Sequence, residues 1–136
     1  MKILIDSSTL YSAIAFPRKE HEIVKSLVEK HTIVTTTYIK EELERNFKKS
    51  FSGKRKKEIL FELEMFISEC EIKTTQEYVD CLQEAKEKIS LKDAPILACG
   101  MLPDIDYLIT SDKEFFEIEI DKVKILSPGD ARYILL

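Results

Sequence analysis

Four carboxylates stand where the edge of a sheet would collect them. Asp6 follows the apolar run Ile3-Leu4-Ile5, and Glu42 lies in the segment after Thr32-Ile33-Val34. Asp93 opens the stretch Asp-Ala-Pro-Ile-Leu-Ala-Cys-Gly, and Asp112 follows Tyr107-Leu108-Ile109. Each also has an ordinary reading. Asp6 with Ser7 and Ser8, and Ser111 with Asp112, are residue types that cap helices. Ser90-Leu91-Lys92-Asp93 has the spacing of a capping box, and Glu42 has charged neighbours in Glu41 and Glu44. Helical phase sets Glu42 apart from them. Ile39, Leu43 and Phe47 form the apolar stripe; Glu42 stands beside it, whereas Glu41 turns toward nearly the opposite side. Asp93 precedes Ile96 and Leu97 at helical spacing, which turns it toward the core side of its own helix. Acids that converge repel one another unless a divalent cation compensates them. Oxygen donors without histidine or thiolate suit Mg²⁺ or Mn²⁺ rather than zinc. Such ions serve phosphoryl transfer by activating water and clamping the attacking and leaving oxygens, so the residues point to phosphodiester hydrolysis.

The rest of the composition removes competitors. Three glycines leave no dinucleotide-binding turn and no phosphate-binding P-loop, and two histidines cannot build an HExxH zinc site. No GxSxG elbow carries a serine nucleophile. Cys70, Cys81 and Cys99 are odd in number and never in CxxC spacing, which suggests three buried thiols and a reducing, cytoplasmic setting. No apolar run approaches the roughly 18 residues of a membrane span, and Asp6 interrupts the N-terminal run before a signal-peptide core could form. The net charge of −4 argues weakly against wholesale polyanion binding, although a local basic patch can outweigh it.

The elements that must position the acids alternate in type. Ile3-Leu4-Ile5, Thr32-Ile33-Val34, Tyr107-Leu108-Ile109 and Val123-Lys124-Ile125-Leu126 read as strands, most of them buried on both faces, with Glu71-Ile72-Lys73 a weaker fifth. Between them, apolar residues recur at three- and four-residue spacing: Leu10, Ala13, Ile14; Ile23, Val24, Leu27; Ile59, Leu63, Ile67; and Val79, Leu82, Ala85, Ile89. Thr74-Thr75 can cap the helix that follows the weak strand. Alternation of this kind predicts an α/β fold, a three-layer α/β/α sandwich with a central parallel sheet of about five strands, in a single domain over residues 1–136. In such sheets ligands bind at the carboxyl ends of the strands, where the four acids fall.

In order and spacing, these segments resemble the PIN-domain ribonucleases, including the VapC-type toxins of toxin–antitoxin pairs. The resemblance covers almost the whole chain. A hydrophobic strand ending in Asp opens it (Ile-Leu-Ile-Asp-Ser-Ser-Thr-Leu), and a Glu-Leu pair follows in a helix (Glu42-Leu43). Then come Asp-Ala-Pro-Ile-Leu-Ala at Asp93, Tyr-Leu-Ile-Thr-Ser-Asp at Asp112, and a late strand with Ser127-Pro128. Ser8 departs from the Asn common at its position, which bears on how a neighbouring carboxylate is oriented. The resemblance implies divalent-metal-dependent cleavage of RNA. Asp6, Glu42, Asp93 and Asp112 would form the metal site, with Ser8 and Thr110 as supporting hydroxyls. Glu114 is a further acid, read first as a first-turn helix residue. Two other acidic α/β families do not fit. Haloacid-dehalogenase-like phosphatases want an Asp where Ser8 stands, and receiver domains want an acceptor Asp where Thr74-Thr75 stands.

By analogy with the family the expected partners are an RNA substrate and an antitoxin protein, without a membrane, in a homodimer. Tyr133, Ile134, Leu135 and Leu136 are apolar residues left over for such an interface, or for docking on the sheet. Lys48 and Lys49, then Lys54, Arg55, Lys56 and Lys57, crowd the break Ser50-Phe51-Ser52-Gly53. Lys54 to Lys57 are candidate phosphate contacts, with Phe51 able to stack on a base, against the alternative of plain solvated charge. The competing function is a PIN-like module that binds RNA or a protein without cleaving it.

Overall fold

The structure is a computed structural model describing residues 1–136. Five strands form one sheet in the order β3-β2-β1-β4-β5, all neighbours parallel: β1 Lys2–Ile5, β2 Thr32–Thr36, β3 Glu71–Lys73, β4 Tyr107–Ile109 and β5 Ile125–Leu126. Ile3, Leu4, Ile5, Val34, Leu108 and Ile109 are fully buried whichever way their side chains alternate. That continuous burial requires cover on both faces, the condition of an α/β/α sandwich. The helices that provide it are α1 Ser7–Ala15, α2 Lys19–Lys30, α3 Thr37–Ser50, α4 Gly53–Ser68, α5 Thr75–Tyr78, α6 Leu82–Lys88, α7 Ala94–Gly100 and α8 Pro128–Leu135.

Strand order creates the place for a site. The chain builds outward from β1 through β2 to β3, then returns to β4 on the other side of β1 and ends in β5. Connections therefore leave β1 and β4 in opposite directions, which makes their carboxyl ends the switch point where open parallel sheets usually bind ligands. Asp6 directly follows β1, and Thr110 to Asp112 directly follow β4.

Two segments depart from what their local spacing predicts. Periodicity puts Val79 on the buried face of one helix with Leu82, Ala85 and Ile89. The chain instead breaks into α5, a 3₁₀ turn at Val79–Cys81, and α6, leaving Val79 exposed and Tyr78 buried. The capping box at Thr74 and Glu77 fixes where α5 starts, so the large Tyr78 ring, rather than Val79, takes the inward position. The last strand is also shorter than its apolar run. Only Ile125 and Leu126 pair with β4, while Val123 packs toward α7, where a Cβ on Gly100 would lie 3.4 Å from its Cγ1. Ser127 accepts from the Asp130 N–H and Pro128 begins α8, which ends β5 promptly.

Candidate metal and nuclease site

Each acid owes its place to a local feature of the chain. Asp6 caps α1: its Oδ1 accepts from the Thr9 N–H at 3.0 Å, while its own N–H donates to Ile109 of β4. Its Oδ2 accepts from the Ser8 hydroxyl at 3.0 Å and from the Thr110 hydroxyl. Capping and site chemistry are thus not alternatives for Asp6, since a cap uses only one of its oxygens fully. Thr110 Oγ1 also accepts from the Asp112 N–H at 3.0 Å, so one hydroxyl ties the acid after β1 to the acid after β4. Asp112 in turn caps the 3₁₀ turn Lys113–Phe116 through the Glu114 N–H.

Glu42 is 5% exposed while Glu41 is on the surface, as helical phase requires. Thr36 caps α3 by accepting from the Ile39 N–H, which sets this register at the carboxyl end of β2. The Ser7 hydroxyl donates to Glu42 Oε1, linking α3 to the residue beside Asp6.

The expected capping box at Ser90 and Asp93 does not form. The Ser90 N–H, which a box would give to Asp93, donates instead to Glu114 Oε1 at 2.7 Å, and the Ser90 hydroxyl donates to Asp93 Oδ2 at 3.1 Å. Asp93 makes no capping bond to α7. Pro95 in the first turn removes one of the N–H groups it would serve.

Asp93, Asp112 and Glu114 each bring a carboxylate oxygen within 4.8 Å of the others. Asp6 and Glu42 lie outside that trio, joined to it through Thr110 in one case and through the Ser7–Asp6 segment in the other. Glu114 is not merely a helix acid, as its position in the chain suggests, because the short 3₁₀ turn after Asp112 brings it back to the sheet edge. Its Asp-x-Glu spacing was the available signal. Ser7 and Ser90, which orient two of the acids, carried no signal beyond adjacency.

Burial dominates the electrostatics of Asp93. The Asp93 carboxyl is pushed up to about 6, first by loss of hydration and then by the charges of Asp112 and Glu114, with the Ser90 hydroxyl opposing. Tyr38 belongs to the same neighbourhood. Its hydroxyl donates to the Lys92 carbonyl at 2.6 Å, and burial followed by the charges of Glu42 and Asp93 raises its pKa. Because Asp93 binds a proton more tightly folded than unfolded, its favourable contribution to metal-free stability is complete below about pH 4. That contribution is lost as pH rises through about 6. Melting temperatures of the metal-free protein between pH 4 and pH 7 should therefore fall more for the wild type than for Asp93→Asn; parallel profiles would assign the titration elsewhere.

All the donors are oxygens, which fits a hard cation. Asp93, Asp112 and Glu114 would hold such an ion, each with one carboxylate oxygen. Asp93 makes no cap bond that an ion would have to displace.

The basic stretch after α3 is less free than its sequence implies. Arg55 donates to the Ala15 carbonyl at 2.6 Å, lies over the Phe51 ring, and with Lys54 flanks Glu58. Phe51 is not a free stacking platform, because its ring packs beside Tyr11 and Phe47. Apolar contact with those two rings outweighs the exposure suggested by its polar neighbours.

The PIN domain family model matches residues 3–121. The fold is similar to FitAcB from Neisseria gonorrhoeae, with a TM-score of 0.73 and 19% identity over 93% of this chain and 98% of that one. It is also similar to VapBC2 from Rickettsia felis bound to a DNA fragment from its promoter, with a TM-score of 0.69 and 21% identity over the same shares of the two chains. A toxin–antitoxin complex from Klebsiella pneumoniae gives a TM-score of 0.63 at 21% identity over 93% of this chain and 97% of that one. No curated protein sequence matches significantly. With the family model spanning both the acid after β1 and the acids after β4, the chain belongs to the PIN domain family.

Proposed function

We propose that this protein is a divalent-metal-dependent ribonuclease of the VapC type, acting on RNA phosphodiester bonds. The observation that carries this reading is the trio Asp93, Asp112 and Glu114, gathered at the sheet edge and coupled through Thr110 to the buried Asp6. Asp6, Glu42, Asp93 and Asp112 are the acids of the site, with Glu114 added to them. Mg²⁺ or Mn²⁺, when bound there, would supply water activation and charge compensation at the phosphate. Ser8 and Thr110 hold Asp6 in place, and Ser7 keeps Glu42 turned toward the same edge. With Ser8 donating to Asp6, the hydroxyl takes over an orienting task that an Asn amide could also perform.

Incubation with generic single-stranded RNA tests the reading. Cleavage should require Mg²⁺ or Mn²⁺ and stop in chelator; cleavage that persists in chelator would remove the metal site, and RNA binding without cleavage would favour the non-catalytic module. Metal titration gives a sharper contrast, since Glu42→Gln should weaken binding about 10-fold or more while Glu41→Gln leaves it unchanged. Equal effects would show that α3 does not present Glu42 to the site. Affinity should also fall below about pH 6, as protons compete for Asp93.

By analogy with the toxin–antitoxin complexes of similar fold, an antitoxin protein is the proposed partner. No helix is long and apolar enough to cross a membrane. A homodimer is proposed from the exposed apolar side chains of α8, Tyr133 and Ile134, which are 92% and 57% exposed. Light scattering should give twice the 15.8 kDa of the chain, and a monomer at micromolar concentration would exclude it.

A further inference from the structure

We propose that two adjoining clefts beside the acidic site, sharing Lys19 and Arg132, hold the phosphate backbone of single-stranded RNA as it leaves that site; this rests on the proposed nuclease function. The clefts have volumes of about 530 and 360 Å³ and share Ile23 as their floor. Arg18 lines the larger one, and the smaller one is closed by Pro128 and Gly129 at the start of α8. Ser111 lines the smaller cleft as well. That residue is adjacent to Asp112, and its hydroxyl lies 3.4 Å from that of Thr9, in the turn that Asp6 caps. The smaller cleft therefore reaches, through Ser111, the segment that leads into Asp112.

Arg18, Lys19 and Arg132 are exposed, and none of them forms an ion pair. Arg18 lies over the Phe16 ring, a contact that leaves its charge uncompensated. Glu20 and Glu22 also line the clefts but do not reach these cations at ion-pair distance, so the three positive charges remain available to a ligand. Lys54 and Arg55, by contrast, already flank Glu58. Topology explains the placement. Arg18 and Lys19 open α2, and Arg132 stands in the last turn of α8, whose first residues Pro128 and Gly129 line the smaller cleft together with Ser111, so cations from two helices meet beside the residue that precedes Asp112. An acidic protein can in this way offer a polyanion a local positive strip next to its metal site. Contacts of this kind recognise phosphates and not bases, so the strip positions the strand without selecting a sequence.

The test is equilibrium binding of a fluorescent single-stranded RNA of mixed sequence, measured in chelator, so that no cleavage is needed. The Arg18→Gln, Lys19→Gln, Arg132→Gln triple variant should bind roughly tenfold more weakly at physiological salt, with a salt slope reduced by about 0.7 for each phosphate no longer neutralised. Lys19→Arg should retain wild-type binding, and Lys54→Gln with Lys57→Gln should change little. In cleavage assays the triple variant should raise KM with kcat preserved. Unchanged binding and slope in the triple variant would overturn the inference, as would an equal loss in the Lys54, Lys57 double variant or wild-type protein that fails to bind RNA. Wild-type protein that binds RNA through these cations but never cleaves it would instead defeat the nuclease reading and leave the binding strip standing.

Discussion

Asp93→Asn is expected to reduce RNA cleavage by at least about 100-fold, since even groups that only orient metal ligands are worth 10- to 100-fold, and Asp93 supplies one of the gathered oxygens itself. The same substitution should raise the thermal stability of the metal-free protein at neutral pH. There the buried carboxyl is ionised against its own desolvation and against Asp112 and Glu114, and the amide removes that charge. Lower activity with equal or higher melting temperature is a combination that misfolding cannot produce. Asp6→Asn should lose activity comparably, because Asp6 shares the Thr110 hydroxyl with the Asp112 backbone. Cleavage rates with Mn²⁺ and calorimetry on both variants check this. Retained wild-type activity in the two would dismiss the acidic cluster as a catalytic centre.

Phe47→Ala is the substitution expected to cost most stability without touching an acid. Its ring is fully buried and stacks on Tyr11 with centroids 4.8 Å apart, and Phe51 lies 6.2 Å away. Truncating a buried Phe costs about 3–5 kcal/mol, a large part of the roughly 5–15 kcal/mol that holds an average domain folded. A fall in melting temperature of roughly 10–20 °C should follow for a chain of this length. Tyr11 is on α1 and Phe47 on α3, so this contact also fixes the spacing between the helices that present Asp6 and Glu42. Denaturation in urea measures the loss; a change under about 1 kcal/mol would mean that the surrounding rings collapse into the space. Metal affinity of the folded fraction should fall as well, through loosened placement of Glu42.

Much of this architecture was written in patterns of short range. Continuous apolar triplets such as Ile3-Leu4-Ile5 can be satisfied only by strands covered twice, and the three- and four-residue spacing of Ile39, Leu43 and Phe47 can be satisfied only by a helix with one buried face. The inward turn of Glu42 follows from the same periodicity, because phase within one helix does not depend on the rest of the fold. The Val79 segment shows the limit. Its spacing was helical, but the capping box at Thr74 chose a different starting point and Tyr78 had the greater area to bury.

By itself, then, the sequence determined most of the strands and helical faces, the caps at Asp6 and Asp112 and the fact that these acids follow strands, all of which depend on neighbours a few positions away. Only the tertiary structure decided which acids meet. Glu114 joins Asp93 because it accepts the Ser90 N–H across 24 residues, and Asp6 joins Asp112 because parallel pairing of β1 with β4 sets Thr110 beside it across 104. The same pairing of distant segments placed Arg132 beside Lys19, and Arg55 against Ala15, so that of two basic regions the scattered one is free and the contiguous one partly engaged. Contacts of this kind are set by strand order and by the competition of all groups for the same donors, and neither is a property of any local stretch of chain.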